Sequence, residues 1–304
     1  MRIVVMKIRL ARLTATALWV TAVGAGLGGC SNSEASTVPQ VVAAAYPFTF
    51  VAEQVGRDFI EVRNLTSPGV EPHDVELPPQ QLADLSDADL IIVEGGFQPA
   101  VDDGLEQIAP TGEVIDVAEI VTLQNAVSNT DTLDPHIWLD PQRMAVVTEV
   151  VADRVASLTP EHVGEIRANA RRLIEALEQL DAAYTTGLVE CARRTFVTSH
   201  AAFGYLASRY NLEMVSVSGL DPTLEPSPAE QAAIADTVTR EGVTTIFTET
   251  LVSPAVAETI ADETGARVRT LDPIEGLTEE SSDETYLTLM RDNLAALREA
   301  NGCS

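Results

Sequence analysis

Three of the four histidines in this 304-residue chain sit where metal chemistry is possible. His73 lies in Glu71-Pro72-His73-Asp74, His136 in Asp134-Pro135-His136-Ile137-Trp138-Leu139-Asp140-Pro141, and His200 in Thr198-Ser199-His200. Asp272, in Leu271-Asp272-Pro273, completes the candidate set. Each falls at the carboxyl end of a predicted strand or in the loop that follows, the edge where open α/β sheets bind ligands. Three imidazoles and one carboxylate at one edge would form a four-coordinate N3O site, a combination that suits zinc. Taken singly, each histidine also reads as an ordinary surface or core residue. His162 stays outside the set, because it lies in the first turn of a long helical pattern, far from the loops.

The elements that must position these residues are short apolar runs alternating with amphipathic stretches, the mark of a parallel α/β fold. The runs are 41–46, 60–65, 89–94 and 113–117 in the first half, and 194–199, 213–218, 243–249 and 267–271 in the second. That predicts two lobes with about four parallel strands each. Ser227-Pro228-Ala229-Glu230 reads as a capping box with proline at the first helical position, closed by Gly242. Ser253-Pro254 opens a helix that ends at Gly265, and Ser281 with Glu284 repeats the box before a final helix running to Gly302. Between the lobes, Met144, Val147, Val151, Val155 and Leu158 form an apolar stripe. It continues after Thr159-Pro160 through Val163, Ile166, Ala170, Leu173, Leu177, Leu180 and Tyr184. At 1.5 Å per residue the 163–184 segment is about 33 Å long, and its place between the strand sets predicts a helix bridging both lobes.

The amino terminus reads as an address. Residues 1–12 are basic, and 13–27 are apolar and uncharged, too few to span a bilayer, which takes roughly 20. The segment ends in Leu27-Gly28-Gly29-Cys30, similar to a bacterial lipobox. Cys30 is therefore expected to be lipidated after cleavage, with 31–39 as a small, polar tether. Export implies an oxidising compartment, so the remaining Cys191 and Cys303 are expected to form a disulfide. Closing a loop of about 110 residues contributes ~4–5 kcal/mol in the chain-entropy model.

The chain carries 19 basic and 46 acidic side chains, net −27; beyond residue 29 the balance is 15 against 46, net −31. Lys7 is the only lysine, so the mature chain has none and no P-loop or Schiff-base chemistry is available to it. Such acidity also opposes nucleic acid and anionic lipid headgroups as partners.

With these residues in place, the chain resembles the zinc/manganese substrate-binding lipoproteins of bacterial ABC importers, the ZnuA/TroA-like solute-binding family. The resemblance runs from about 40 to 301. It rests on Tyr46-Pro47, the Pro72-His73 loop, LSDADLIIVEGG (85–96), DPHIWLDP (134–141), TSHAAFGYLASRYNL (198–212), SGLDPTLEPSPAE (218–230), TIFTET (245–250) and LDPIEG (271–276), in that order. It implies two Rossmann-like lobes joined by one long helix: 1–29 signal peptide, 30–39 lipidated tether, 40–140 first lobe, 141–188 connector and 189–304 second lobe. It also implies that His73, His136, His200 and Asp272 hold a metal between the lobes. Histidine at the third position goes with zinc-type sites, so the expected cargo is Zn²⁺, with manganese or mixed specificity as the alternative. Residues 121–132 lack the histidine-rich loop that many zinc members carry there. Asp140 is a candidate for orienting the Asp134–Pro141 loop and Glu249 for fixing a ligand histidine's tautomer; a capping or solvent-facing role is the alternative for both. Trp138 reads as packing.

The expected function is capture of the ion outside the membrane and delivery to the membrane subunits of an ABC permease, by a lipid-anchored monomer that catalyses no reaction. A zinc hydrolase needs three protein ligands and an open water position, which a fourth ligand would close. An iron-chelate binder on a similar fold would want aromatic or basic contacts, and aromatic residues are only 5% of this chain.

Overall fold

The computed structural model describes residues 38–126, 132–224 and 226–304. The export segment, Cys30 and most of the tether lie outside the described residues.

Each apolar run supplies one short strand. The first lobe holds β1 (Gln40–Ala43), α1 (Tyr46–Gly56), β2 (Glu61–Asn64), α2 (Pro79–Asp87), β3 (Leu90–Val93), α3 (Pro99–Ile108), β4 (Glu113–Asp116) and the single turn α4 (Val117–Ile120). Its strands pair in parallel in the order β2-β1-β3-β4. A two-stranded antiparallel ribbon follows, β5 (Gln124–Asn125) and β6 (Leu133–Asp134), with Gln124 opposite Asp134. Helices α5 (Pro141–Leu158) and α6 (Val163–Gly187) come next. The second lobe holds β7 (Thr195–Thr198), α7 (Gly204–Arg209), β8 (Glu213–Ser216), α8 (Pro228–Arg240), β9 (Thr245–Thr248), α9 (Ala255–Thr264), β10 (Arg267–Thr270) and α10 (Tyr286–Asn301). Its parallel order is β10-β9-β7-β8.

Strands β3, β7 and β9 are interior to their sheets and wholly buried, whereas edge strands β2 and β10 contain no buried residue. This is why the interior runs read as continuous apolar stretches rather than alternating ones. In each sheet the chain leaves a central strand toward one edge and returns on the other side, between β1 and β3 and between β7 and β9. Crevices form at such reversals, outside the carboxyl ends of the strands.

The connector comprises two helices, because Pro160 lacks an amide hydrogen and its predecessor is steered away from helix. Their apolar stripes meet residues of both lobes: Val151, Val155, Ile166 and Leu177 share one core with Phe48 and Val55 of the first lobe and with Phe196 and Leu297 of the second. Helix α6 also reaches each lobe through buried polar contacts. Asn169 Nδ2 donates to Val55 O at 2.8 Å, and the Tyr184 hydroxyl donates to Met290 O at 2.6 Å. His162 ends a short turn before α6 and stacks on Phe59, with ring centroids 3.9 Å apart.

The Ser227–Glu230 capping box is present with both reciprocal bonds. The last helix is capped differently from the sequence expectation. Thr285, not Ser281, is its N-cap and pairs with Thr288, while Ser281 closes the preceding turn with Thr278. Cys191 and Cys303 are disulfide-bonded across 112 residues, tying the end of α10 to the entry of β7. No helix among the described residues is long and apolar enough to cross a membrane.

Candidate metal centre

His136 reaches the site through the ribbon. Asp134 ends β6, and its carboxylate accepts from the His136 backbone N at 3.0 Å and pairs with His136 Nδ1 at 2.7 Å. His200 follows β7, and its Nδ1 lies 2.7 Å from Oε1 of Glu249, the residue after β9. The Ser199 hydroxyl donates to the same oxygen. Each carboxylate accepts a hydrogen bond from Nδ1–H, which leaves both Nε2 atoms facing inward. His73 sits in a short turn, Pro72–Asp74, in the loop after β2, and its ring meets the edge of Phe97 at 4.7 Å.

The three Nε2 atoms and one carboxylate oxygen converge. His136 Nε2 lies 3.4 Å from both His73 Nε2 and His200 Nε2. Glu275 Oε1 lies 3.1 Å from His136, 3.2 Å from His200 and 3.7 Å from His73. A tetrahedral zinc with donors at roughly 2.0–2.1 Å has donor–donor edges of about 3.4 Å, so these four atoms lie at the corners of a cage for one such ion. His136, His200 and Glu275 are fully buried, and the His73 side chain is 10% exposed. Glu275 Oε2 is buried and has no hydrogen-bond partner among the described residues, which leaves it free for a cation.

Electrostatics agree with that reading. Burial opposes a charged His200, yet the Glu249 and Glu275 carboxylates prevail and push its pKa up to about 10. His136 is raised too, because Asp134 and Glu275 outweigh its desolvation. Glu275 is held well below the usual carboxylate range: burial works against this, but the imidazoles of His200, His136 and His73 overcome it. The carboxylates therefore favour protons on His136 and His200, which a metal would have to displace.

Asp272, expected as the fourth donor, is not among the four converging groups; Glu275 occupies that corner. The Asp272 carboxylate accepts from the backbone N of Ile274 at 2.7 Å and lies 3.5 Å from the Thr250 hydroxyl. Its own backbone N donates to Asn293 at 2.8 Å. Burial, reinforced by Glu275 and Glu249, raises its pKa to about 6. Ile274 has φ 61°, a left-handed conformation that costs a β-branched residue on the order of 1–2 kcal/mol. Asp272 offsets that strain, as does the Trp138 indole, which donates to Pro273 O at 2.7 Å. The kink turns Glu275 inward. The Leu271–Gly276 motif carries both acids, and spacing alone could not distinguish the donor from the residue that shapes its turn.

Glu249 stands behind His200, with its Oε1 2.7 Å from Nδ1. Asp140 caps α5 by accepting from Gln142 N at 2.9 Å and pairs with Arg143 and Arg209, so it anchors the end of the His136 segment. Trp138 is fully buried and packs edge-on against Phe48. Asp134 and Glu275 are site residues that the sequence expectation does not include, although they lie inside the 134–141 and 271–276 motifs. Residues 127–131 of the histidine-free stretch lie outside the described residues; its ends form the ribbon that delivers Asp134.

With this geometry in view, the sequence profile described as ZnuA, zinc-uptake complex component A, periplasmic, matches residues 41–300. The chain belongs to the ZnuA family. It is 33% identical over 290 residues to the zinc-binding lipoprotein AdcA of Streptococcus pneumoniae, covering 90% of this chain and 58% of that one. This chain thus spans little more than half the length of that relative. It is 30% identical over 276 residues to the high-affinity zinc uptake system protein ZnuA of Bacillus subtilis, with 86% of each covered. Among solved structures, the laminin-binding protein Lmb of Streptococcus agalactiae, described as having adhesin and metal-transporting activity, superposes with TM-score 0.79 at 32% identity, covering 86% of this chain and 98% of that one. Zn(II)-bound AdcA of S. pneumoniae superposes with TM-score 0.76 at 33% identity, covering 86% and 57%. The two-lobe α/β architecture is that of the family.

Proposed function

We propose that the protein captures Zn²⁺ outside the cytoplasm and passes it to the membrane subunits of an ABC permease, anchored as a monomer through lipid on Cys30. The observation that carries this reading is the cage itself: three Nε2 atoms and Glu275 Oε1 all within 4.8 Å of one another, with Glu275 Oε1 3.1–3.7 Å from the three nitrogens. His73, His136, His200 and Glu275 are the donors, Asp134 and Glu249 orient two of them, and Asp272 shapes the turn that presents Glu275. Three imidazoles to one carboxylate favour zinc over manganese, since nitrogen donors follow the order in which zinc outcompetes manganese. Four protein donors leave no open position for an activated water, which supports transport rather than hydrolysis. The zinc-related names of the relatives support the same cargo.

Elemental analysis of protein purified without added metal, followed by zinc-versus-manganese competition, tests the proposal. Zinc at about one equivalent and a zinc-dependent rise in melting temperature are expected. Retention of manganese against equimolar zinc would overturn the choice of metal.

A further inference from the structure

We propose that Tyr205 is a positioning residue that sets the cage edge between His136 and His200, and through it the size of ion the cage prefers. The inference rests on the zinc reading above and adds a residue that touches no metal. Tyr205 is fully buried, and its hydroxyl uses both of its hydrogen-bonding roles on one rung of the ribbon. It accepts from Gln124 N at 2.8 Å and donates to Asp134 O at 2.7 Å. Gln124 and Asp134 face each other across β5 and β6, so one oxygen ties the two strands together. A buried tyrosine that merely fills space needs one partner for its hydroxyl. Two backbone partners on facing strands satisfy the hydroxyl and also fix where the ribbon lies.

That hydroxyl joins two ligand segments. On one side, Tyr205 follows His200 by five residues, through the turn Ala201–Phe203 and the start of α7, all of it buried. The turn is held at its base: Ala201 N donates to Gly219 O at 2.8 Å, and the Thr198 hydroxyl donates to His200 O at 2.7 Å. On the other side, the Asp134 carboxylate holds His136 through its backbone N and its Nδ1. The path from His200 through Tyr205 and Asp134 to His136 closes on the 3.4 Å separation of the two Nε2 atoms. Arg143 braces the ring, with its guanidinium 4.6 Å from the centroid and a hydrogen bond to Thr122 O just before the ribbon. Donor–donor edges lengthen with the metal–donor bond, and a working donor set must be held to within about 0.5 Å. An edge fixed at zinc length therefore resists a larger ion that also accepts imidazole, such as Cd²⁺.

In the full-length protein, Tyr205→Phe keeps the ring and its packing under Arg143 and removes the hydroxyl alone. Chelator competition should show zinc bound about tenfold more weakly and Cd²⁺ within about threefold of wild type, so the preference for zinc narrows. The visible spectrum of the Co²⁺-substituted protein should shift, because two imidazoles have changed their mutual angle. A lower melting temperature with the zinc–cadmium preference and the Co²⁺ spectrum unchanged would leave Tyr205 a structural residue and overturn the proposal. Equal losses for both ions would overturn it too. In an Asp134→Ala background, Tyr205→Phe should cost zinc affinity less than about threefold, since the path is already cut; the full tenfold loss there would show that the hydroxyl does not act through Asp134. Amide hydrogen exchange on the metal-free wild-type protein should find Gln124 N–H protected. Exchange of that amide at the open-chain rate would sink the idea even if Tyr205→Phe does not fold. Wild-type protein that takes up no zinc would instead remove the cage assignment itself.

Discussion

His136 and His200 differ from His73 in what stands behind them. Each of the first two is buried and gripped at Nδ1 by a carboxylate 2.7 Å away. His73 has no such partner among the described residues; it leans on Phe97 and keeps some exposure. The gripped pair come from segments fixed by the core. Around His136, the Tyr205 hydroxyl donates to Asp134 O at 2.7 Å, and the Tyr286 hydroxyl to Trp138 O at 2.6 Å, so residues of the second lobe hold the segment on both sides. His73 rides on a loop. The contrast divides the cage into a preset part, His136, His200 and Glu275, and an adaptable corner. Pre-set donors lose little freedom when they bind, and an adaptable one lets the ion in and out.

The largest effect expected from breaking this arrangement is removal of a preset donor. Structural zinc binds with roughly 10–16 kcal/mol over four ligands, so His200→Ala or Glu275→Ala should cost about 3 kcal/mol, on the order of a hundredfold in affinity by chelator competition. His73→Ala should cost less, about tenfold, because water can reach its corner. Equal losses at all three positions would erase the distinction. Asp272→Asn should lower the melting temperature more than the affinity, and a Glu275-sized loss of binding there would restore Asp272 as a donor.

Next in size are the grips. Glu249→Ala and Asp134→Ala should each weaken zinc about ten- to a hundredfold while leaving it four-coordinate. A double-mutant cycle of Glu249 with His200 should show coupling, and one of Glu249 with His73 should show none.

Acidity sharpens the comparison further. In the metal-free protein His200 holds its proton up to about pH 10, and His136 is also raised, so zinc must displace protons from the gripped pair. Zinc affinity should fall as pH falls, and neutralising Glu249 should shift that dependence. The stability sign is separate. A raised histidine contributes stability that is fully present below its unfolded value of 6.5 and is lost as pH rises through about 10, so the metal-free melting temperature should decline over that window. A metal-free protein whose stability rises from pH 7 to 10 would contradict the grip.

The smallest effect concerns Glu94, which follows β3 and is buried with neither oxygen partnered among the described residues. Burial first, then the charges of Asp134 and Asp116, raise its pKa well above the ordinary value. A carboxyl so raised costs stability as pH climbs past its unfolded value of 4.5. Glu94→Gln should therefore raise the melting temperature by about 2–4 °C near neutral pH, with the gain growing between pH 5 and 8, and leave zinc affinity within about threefold. A loss of affinity like that of Asp134→Ala would show that the charge behind the grip matters as much as the grip.

Much of this was legible along the chain. The eight apolar runs correspond to the eight strands of the two sheets, because interior parallel strands are buried on both faces and leave a continuous apolar signature. The split stripe from Met144 to Tyr184 became α5 and α6, since a 3.6-residue period needs no partner to be read. Counting alone pairs Cys191 with Cys303 once Cys30 is set aside, and position after a strand marks three of the four histidines. Tertiary structure alone decided the fourth corner and the supports. Asp272 and Glu275 are three residues apart, and only the left-handed Ile274, held by Asp272 and by Trp138 from another segment, turns one of them inward. Asp134 was selected by a ribbon pairing, and Glu249 by the crossing from β7 to β9. Local sequence carries periodicity and residue chemistry; which oxygen meets a given imidazole depends on contacts between segments far apart in the chain, as in the approach of Glu275 to His73 and the bond from Trp138 to Pro273.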